Sequence, residues 1–168
     1  MRQLMDRFCD TLSAEREVHR ELLTLSAKKK EAITKNDVTS LDRIVRGEEV
    51  LLSRLSHWEK KRKECVQTLS GKVGRPEEEV VIQDFFPLCE PDQKDRLSSL
   101  FRELTTLLEK QIAVNEINKR LIESRLEYIN YSLETVAGNG LDAYHTYGGG
   151  GLENDRLSRK TSIIDQKV

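Results

Sequence analysis

From residue 2 to residue 34 the chain has no proline or glycine, and one row of positions recurs at alternating steps of four and three. The row is Leu4, Phe8, Thr11, Glu15, Val18, Leu22, Leu25, Lys29 and Ala32. That rhythm follows one face of an α-helix, so the spacing predicts a first helix over about 2–34. TKND comes next, and Asn36 or Asp37 supplies a side-chain oxygen to start a second helix over about 38–70. The second helix carries the same rhythm at Leu41, Ile44, Glu48, Leu51, Leu55, Trp58, Arg62, Cys65 and Leu69. Folding the chain back at 35–37 sets Leu4 against Leu69, Phe8 against Cys65, Val18 against Leu55, Leu22 against Leu51 and Ala32 against Leu41. Every pair is centred between Asn36 and Asp37. The expectation is an antiparallel helical hairpin over residues 2–70, about 50 Å long at the helical rise of about 1.5 Å per residue.

The polar members of the two rows fit the same register. Glu15 falls one turn from the layer of Arg62, and Lys29 one turn from that of Glu48. Two cross-helix ion pairs are expected, each contributing about 0–1 kcal/mol if partly exposed. Each helix also carries a second row at seven-residue spacing. In the first it is Met5, Leu12 and Ile33, with His19 and Ser26 between; in the second it is Val45, Leu52 and Val66. Two helices packed only on each other need one row apiece, so a third helix should cover the surplus.

Residues 70–92 interrupt the pattern. SGKVGRP is rich in turn formers. PEEEVVIQDFF begins with Pro76 and three acids, which suits a helix N-terminus. A short helix over about 77–86 is expected, with Val80, Val81, Phe85 and Phe86 packing on the end of the bundle. Pro87 and Pro91 bracket the loop after it. A third long helix follows over about 92–137, again without proline or glycine up to Val136. Its second half is apolar at Ile112, Val114, Leu121, Ile122, Leu126, Tyr128, Ile129, Leu133 and Val136, a stripe about 160° wide. A core-facing stripe needs about 100°, so part of this face should lack a partner within the monomer. The expected fold is all-α: a three-helix, coiled-coil-like bundle in one domain over 1–137, and a tail over 138–168 hinged at Gly148–Gly151.

Composition narrows the function classes. Lys and Arg total 28 against 29 Asp and Glu, so there is no basic excess to displace counterions from nucleic acid. No run approaches the ~18 apolar residues of a membrane span. MRQLMDRFCD lacks a signal peptide's apolar stretch, giving an expectation of a cytoplasmic protein. Cys9, Cys65 and Cys89 are odd in number and far apart, so reduced, partly buried thiols are expected rather than disulfides. No Cys or His spacing suits a metal, no Gly-Lys-Ser/Thr follows the glycine run, and no catalytic set has a recognisable context. The expectation is a non-enzyme without cofactor. Asn115 and Asn118 lie near the middle of the broad apolar face. They are either satisfied by water or a neighbouring helix, or they meet a partner's backbone or polar side chains.

One set of residues carries a resemblance. Asn115, Asn118, Leu121 and Ile122, then Thr146, Tyr147, Gly148, Ile164, Asp165, Lys167 and Val168, set on a long hairpin and a third helix, resemble the FlgN family of flagellar export chaperones. The resemblance implies an all-helical, non-catalytic bacterial protein of the cytoplasm. Such a protein binds the helical C-terminal segments of hook-filament junction proteins, keeps them unpolymerised, and delivers them to the flagellar type III export apparatus. On that resemblance the client groove centres on Val114, Asn115, Asn118, Leu121, Ile122, Leu126 and Ile129. Tyr147, and after it Tyr144, are the candidates for docking on the export gate, and the tail is expected to cover the groove until a client displaces it. The residues leave two alternatives open: a structural protein that homodimerises through the same face, and a coiled-coil regulator of a secretion complex.

Overall fold

The computed structural model describes the backbone of residues 1–145 and the side chains of residues 1–137. Every element among them is helical: α1 (Arg2–Lys35), α2 (Val38–Val73), a 3-10 helix α3 (Ile82–Leu88) and α4 (Pro91–His145). Met1–Leu126 forms one compact unit, and a second begins at Glu127.

Local chemistry explains the boundaries. α1 ends where Asn36 takes the left-handed conformation (φ 56°), which asparagine tolerates better than most residues. Asp37, not Asn36, caps α2: its Oδ1 accepts from the Ser40 backbone N–H at 2.9 Å. α2 runs on through Gly71 and stops at Gly74, which has φ 76°. The expected short helix over 77–86 is displaced. Val81 is extended, and the Asp84 carboxylate accepts from its N–H at 2.9 Å and from Arg75 Nη1 at 3.0 Å. The helical turn therefore starts at Ile82, three residues after the last of the acids that suggested a start. The last helix continues past the expected end near 137 to His145. The Gly148–Gly151 hinge, the tail's docking and Tyr147 fall outside the described residues, as does the side chain of Tyr144.

α1, α2 and α4 pack as a bundle with α1 shared. Cross-helix ion pairs join Arg7 to Glu64, Glu15 to Arg62, Glu21 to Arg54 and Lys29 to Glu48, so the α2 partner steps down in number as α1 climbs. Both pairs expected from the rows, Glu15–Arg62 (3.0 Å) and Lys29–Glu48, are among them. Val18, Leu22, Leu51 and Leu55 form one buried cluster between α1 and α2. A larger cluster joins Met5, Phe8 and Leu12 of α1, Cys65 and Leu69 of α2, Phe85 of α3, and Leu97, Leu100 and Leu104 of α4. In it Phe85 meets Phe8 edge to face, ring centroids 5.7 Å apart. Cysteines at Val18 and Leu55, with Cys9, Cys65 and Cys89 replaced by alanine, should crosslink readily on oxidation. Preferential crosslinking of position 18 to a position one heptad from 55, read by peptide mapping, would contradict the register.

Candidate functional site

α4 carries two rows one residue out of step, and they have different fates. The inner row is Gln93, Leu97, Leu100, Leu104, Leu107, Gln111, Val114, Asn118, Leu121 and Arg125, again in three-four steps. It lies on α1's second row: Met5, Leu12, Ser26 and Ile33 are buried there, with His19 half-buried. Polar bridges tie the two helices along their length. Gln93 Nε2 donates to Asp6 Oδ1 at 2.6 Å and to the Arg2 carbonyl at 3.0 Å. Arg96 reaches Asp10, Arg16 and Arg20 both reach Glu103, and Arg125 Nη2 donates to the Thr34 carbonyl at 2.8 Å.

The outer row runs Phe101, Thr105, Leu108, Ile112, Asn115, Lys119, Ile122 and Leu126. Its apolar members are exposed, from 38% at Ile122 to 65% at Ile112. In the unit that begins at Glu127, Ile129, Leu133 and Val136 keep the spacing and are exposed too. A row at three-four spacing along one helix is what a partner helix packs against; scattered single exposures would mean nothing. The exposed face expected from the broad stripe is present as this row.

The seven expected client residues divide between the rows. Asn115, Ile122 and Leu126 belong to the outer row and are exposed, and Ile129, in the unit that begins at Glu127, is exposed as well. Val114 and Leu121 belong to the inner row and are half-buried. Asn118 also belongs to the inner row. It is only 3% exposed, and its Nδ2 donates to the Ser26 carbonyl at 2.9 Å. Of the two roles left open for the asparagines, satisfaction by a neighbouring helix holds for that amide nitrogen. Asn115 Oδ1 accepts from Ser26 Oγ and from Gln111 Nε2, both at 3.3 Å.

The second row of α2 was expected to be covered by the third helix, and it is not. Val45 and Leu52 are exposed and Val66 half-buried. The reason is that α4 packs on α1. Among the described residues no hydrogen bond or ion pair joins α2 to α4. A groove is left between them, floored by α1. One stretch, about 590 Å³, has His19 and Leu22 on its floor, Leu52 on the α2 wall, and Gln111, Asn118 and Ile122 on the α4 wall. A second hollow of about 770 Å³ is bounded by α1, α2, α4 and the α3 segment around Phe8, Val66, Ile82, Phe85 and Phe101.

Burial sets the protonation chemistry of this region. Glu15, on α1, is 5% exposed. Burial raises its carboxyl above the usual range, and Arg62 only partly offsets this. Burial also depresses the His19 imidazole below its ordinary 6.5, with Glu59 pulling it back up and Arg62 pushing it further down. The folded protein therefore favours neutral His19, while the unfolded chain takes up the proton. The His19 contribution to stability is full above pH 6.5 and is lost as the pH falls through the depressed folded value. Urea midpoints should decline on acidification below pH 6.5, and His19→Gln should remove that part of the slope. An unchanged slope in the variant would contradict the assignment. Glu15 acts the other way at lower pH: its raised folded pKa means that protonation on the approach to 4.5 favours the native state.

Cys9 and Cys65 are buried and Cys89 half-buried, all as free thiols. Burial holds the Cys9 thiol at about 11, far from a reactive thiolate. Among the described residues no cluster of His, Cys, Asp and Glu is placed to hold a metal, and no helix is long and apolar enough to cross a membrane.

The uncharacterized protein YvyG of Bacillus subtilis (strain 168) is 27% identical over 119 residues, which cover 71% of this chain and 72% of YvyG. No solved structure matches the chain. The FlgN protein family matches residues 1–155, nearly the whole sequence and both rows of α4, and the chain belongs to that family.

Proposed function

We propose that this protein is a cytoplasmic export chaperone of flagellum assembly. It binds the helical C-terminal segments of hook-filament junction proteins, keeps them unpolymerised, and hands them to the flagellar type III export apparatus. Membership of the FlgN family supports the flagellar setting. The observation that carries the binding mode is the exposed three-four row of α4, with Ile112, Ile122 and Leu126 uncovered beside a groove. An amphipathic helix laid along it would bury its own apolar face and cover this one. A client disordered before binding loses conformational entropy on capture, which holds the affinity to a moderate level suited to release.

The role is one of binding, without catalysis. Self-association through the same row is the reading that competes. Light scattering on the purified protein, alone and mixed with the C-terminal segment of a junction protein from the same bacterium, separates the two. A discrete hetero-complex supports the chaperone. A homo-oligomer that takes up no segment overturns it.

A further inference from the structure

The outer row of α4 is not uniformly apolar. Between Phe101 and Leu126 three of its side chains are polar, and their partners differ. Thr105 Oγ1 donates to the Phe101 carbonyl of its own helix at 3.0 Å. Asn115 bonds to Ser26 and Gln111, each at 3.3 Å. Lys119 is exposed, and among the described residues its ammonium makes no hydrogen bond or ion pair. It lines the groove stretch of about 590 Å³ together with Lys29, Glu48, Leu52, Ile122 and Glu123. Lys29 and Glu48 pair with each other, so that carboxylate is engaged. Glu123 follows Lys119 by four residues on the same helix. An acid does better four residues before its base than after it, and no ion pair forms between these two.

In the free protein water solvates the ammonium. A helix laid along the row covers Ile112, Ile122 and Leu126, all exposed beforehand, and strips water from the charge in their midst. A charge that loses water without gaining a counter-charge disfavours the complex. A carboxylate opposite it turns the same position into a favourable, directional contact. A single lysine in an apolar seam sets partner and register in this way. We propose that Lys119 is a specificity-determining residue of the client site. It selects an amphipathic helix that carries an aspartate or glutamate within its apolar face, opposite Lys119 when the rest of that face covers Ile112, Ile122 and Leu126. The inference rests on the function proposed above and names the chemistry of its client. Apolar helices without the acid are rejected, although they fit the row, because they bury the ammonium unpaired. Sliding the right helix by one turn moves its acid onto Asn115 or Ile122, so the same contact fixes the axial position.

The test titrates the full chain in a calorimeter with the C-terminal segment of a junction protein from the same bacterium. Lys119→Glu should weaken binding by at least about tenfold, with a urea midpoint near wild type because the side chain is exposed. Each Asp and Glu of the segment is then changed singly to Lys. One of these segments should bind the native chain at least about tenfold more weakly and regain most of that loss on the Lys119→Glu chain. Lys119→Met keeps the bulk and removes the charge. It should bind the unaltered segment more weakly than the native chain does, and the segment with that one acid changed to Leu more tightly. If Lys119→Glu binds the unaltered segment as the native chain does, or no charge reversal in the segment restores binding, the inference fails while the proposed function stands. If the segment does not bind the native chain, both fail. If the chain alone self-associates and Lys119→Glu abolishes that association, the occupant is a second copy and the inference is overturned.

Discussion

Leu69→Ala should lower the unfolding free energy by about 2–5 kcal/mol, the usual range for deleting a buried leucine. Leu69 is 0% exposed and belongs to the cluster shared by α1, α2, α3 and α4. Against a total stability of about 5–15 kcal/mol, the loss is a large fraction. Urea unfolding should show a lower midpoint with little change in slope. Leu52→Ala is the control: Leu52 is exposed on the groove wall, so the change should stay within about 0.5 kcal/mol. Equal losses at the two positions would mean that the second row of α2 is covered after all.

Ile122→Asp should have the largest effect on client capture. Ile122 sits on the outer row of α4 and lines the groove opposite Leu52. Burying an isoleucine contributes about 1.5–3 kcal/mol, and an aspartate there must also be desolvated without a partner. Binding of the junction-protein segment should fall at least tenfold, and further with Leu126→Asp added. Helix content and the urea midpoint should stay near wild type, since both side chains are exposed before binding. Unfolding of the Ile122→Asp protein would make that face internal core. Normal binding by a folded variant would place the client elsewhere.

The sequence was most informative where charge and apolar spacing repeat each other. Glu15 falls one turn from the layer of Arg62 and Lys29 one turn from that of Glu48, and both pairs form. α4 was legible as a helix but not as two rows. Leu97, Leu100 and Leu104 face α1, while Phe101, Leu108 and Ile112 stand one position away and face outward. Chemically the two sets are alike, so a wheel merges them into one broad stripe, and only packing says which is covered. Asn118 falls inside the stripe, but on its inner, buried row. Leu52 was missed as a wall residue because covering α2's second row depends on whether α4 lies on α1 or between the two helices. The short helix was displaced because Pro76 and its acids look like an N-terminus, whereas the bond that starts the turn comes from Asp84, beyond the two valines. A row of three-four spacing one step from a satisfied row is the signal that would have found the exposed face more sharply.

The most direct test of the account is isoleucine methyl NMR during titration with the junction-protein segment. Ile112 and Ile122 lie on the outer row, whereas Ile44 lines a hollow between α1 and α2 with Leu25 and Asp37. Binding along the row predicts that the first two methyl signals shift or broaden in proportion to bound segment while that of Ile44 holds still. Shifts confined to Ile44, or a segment that binds without moving Ile112 or Ile122, would contradict it.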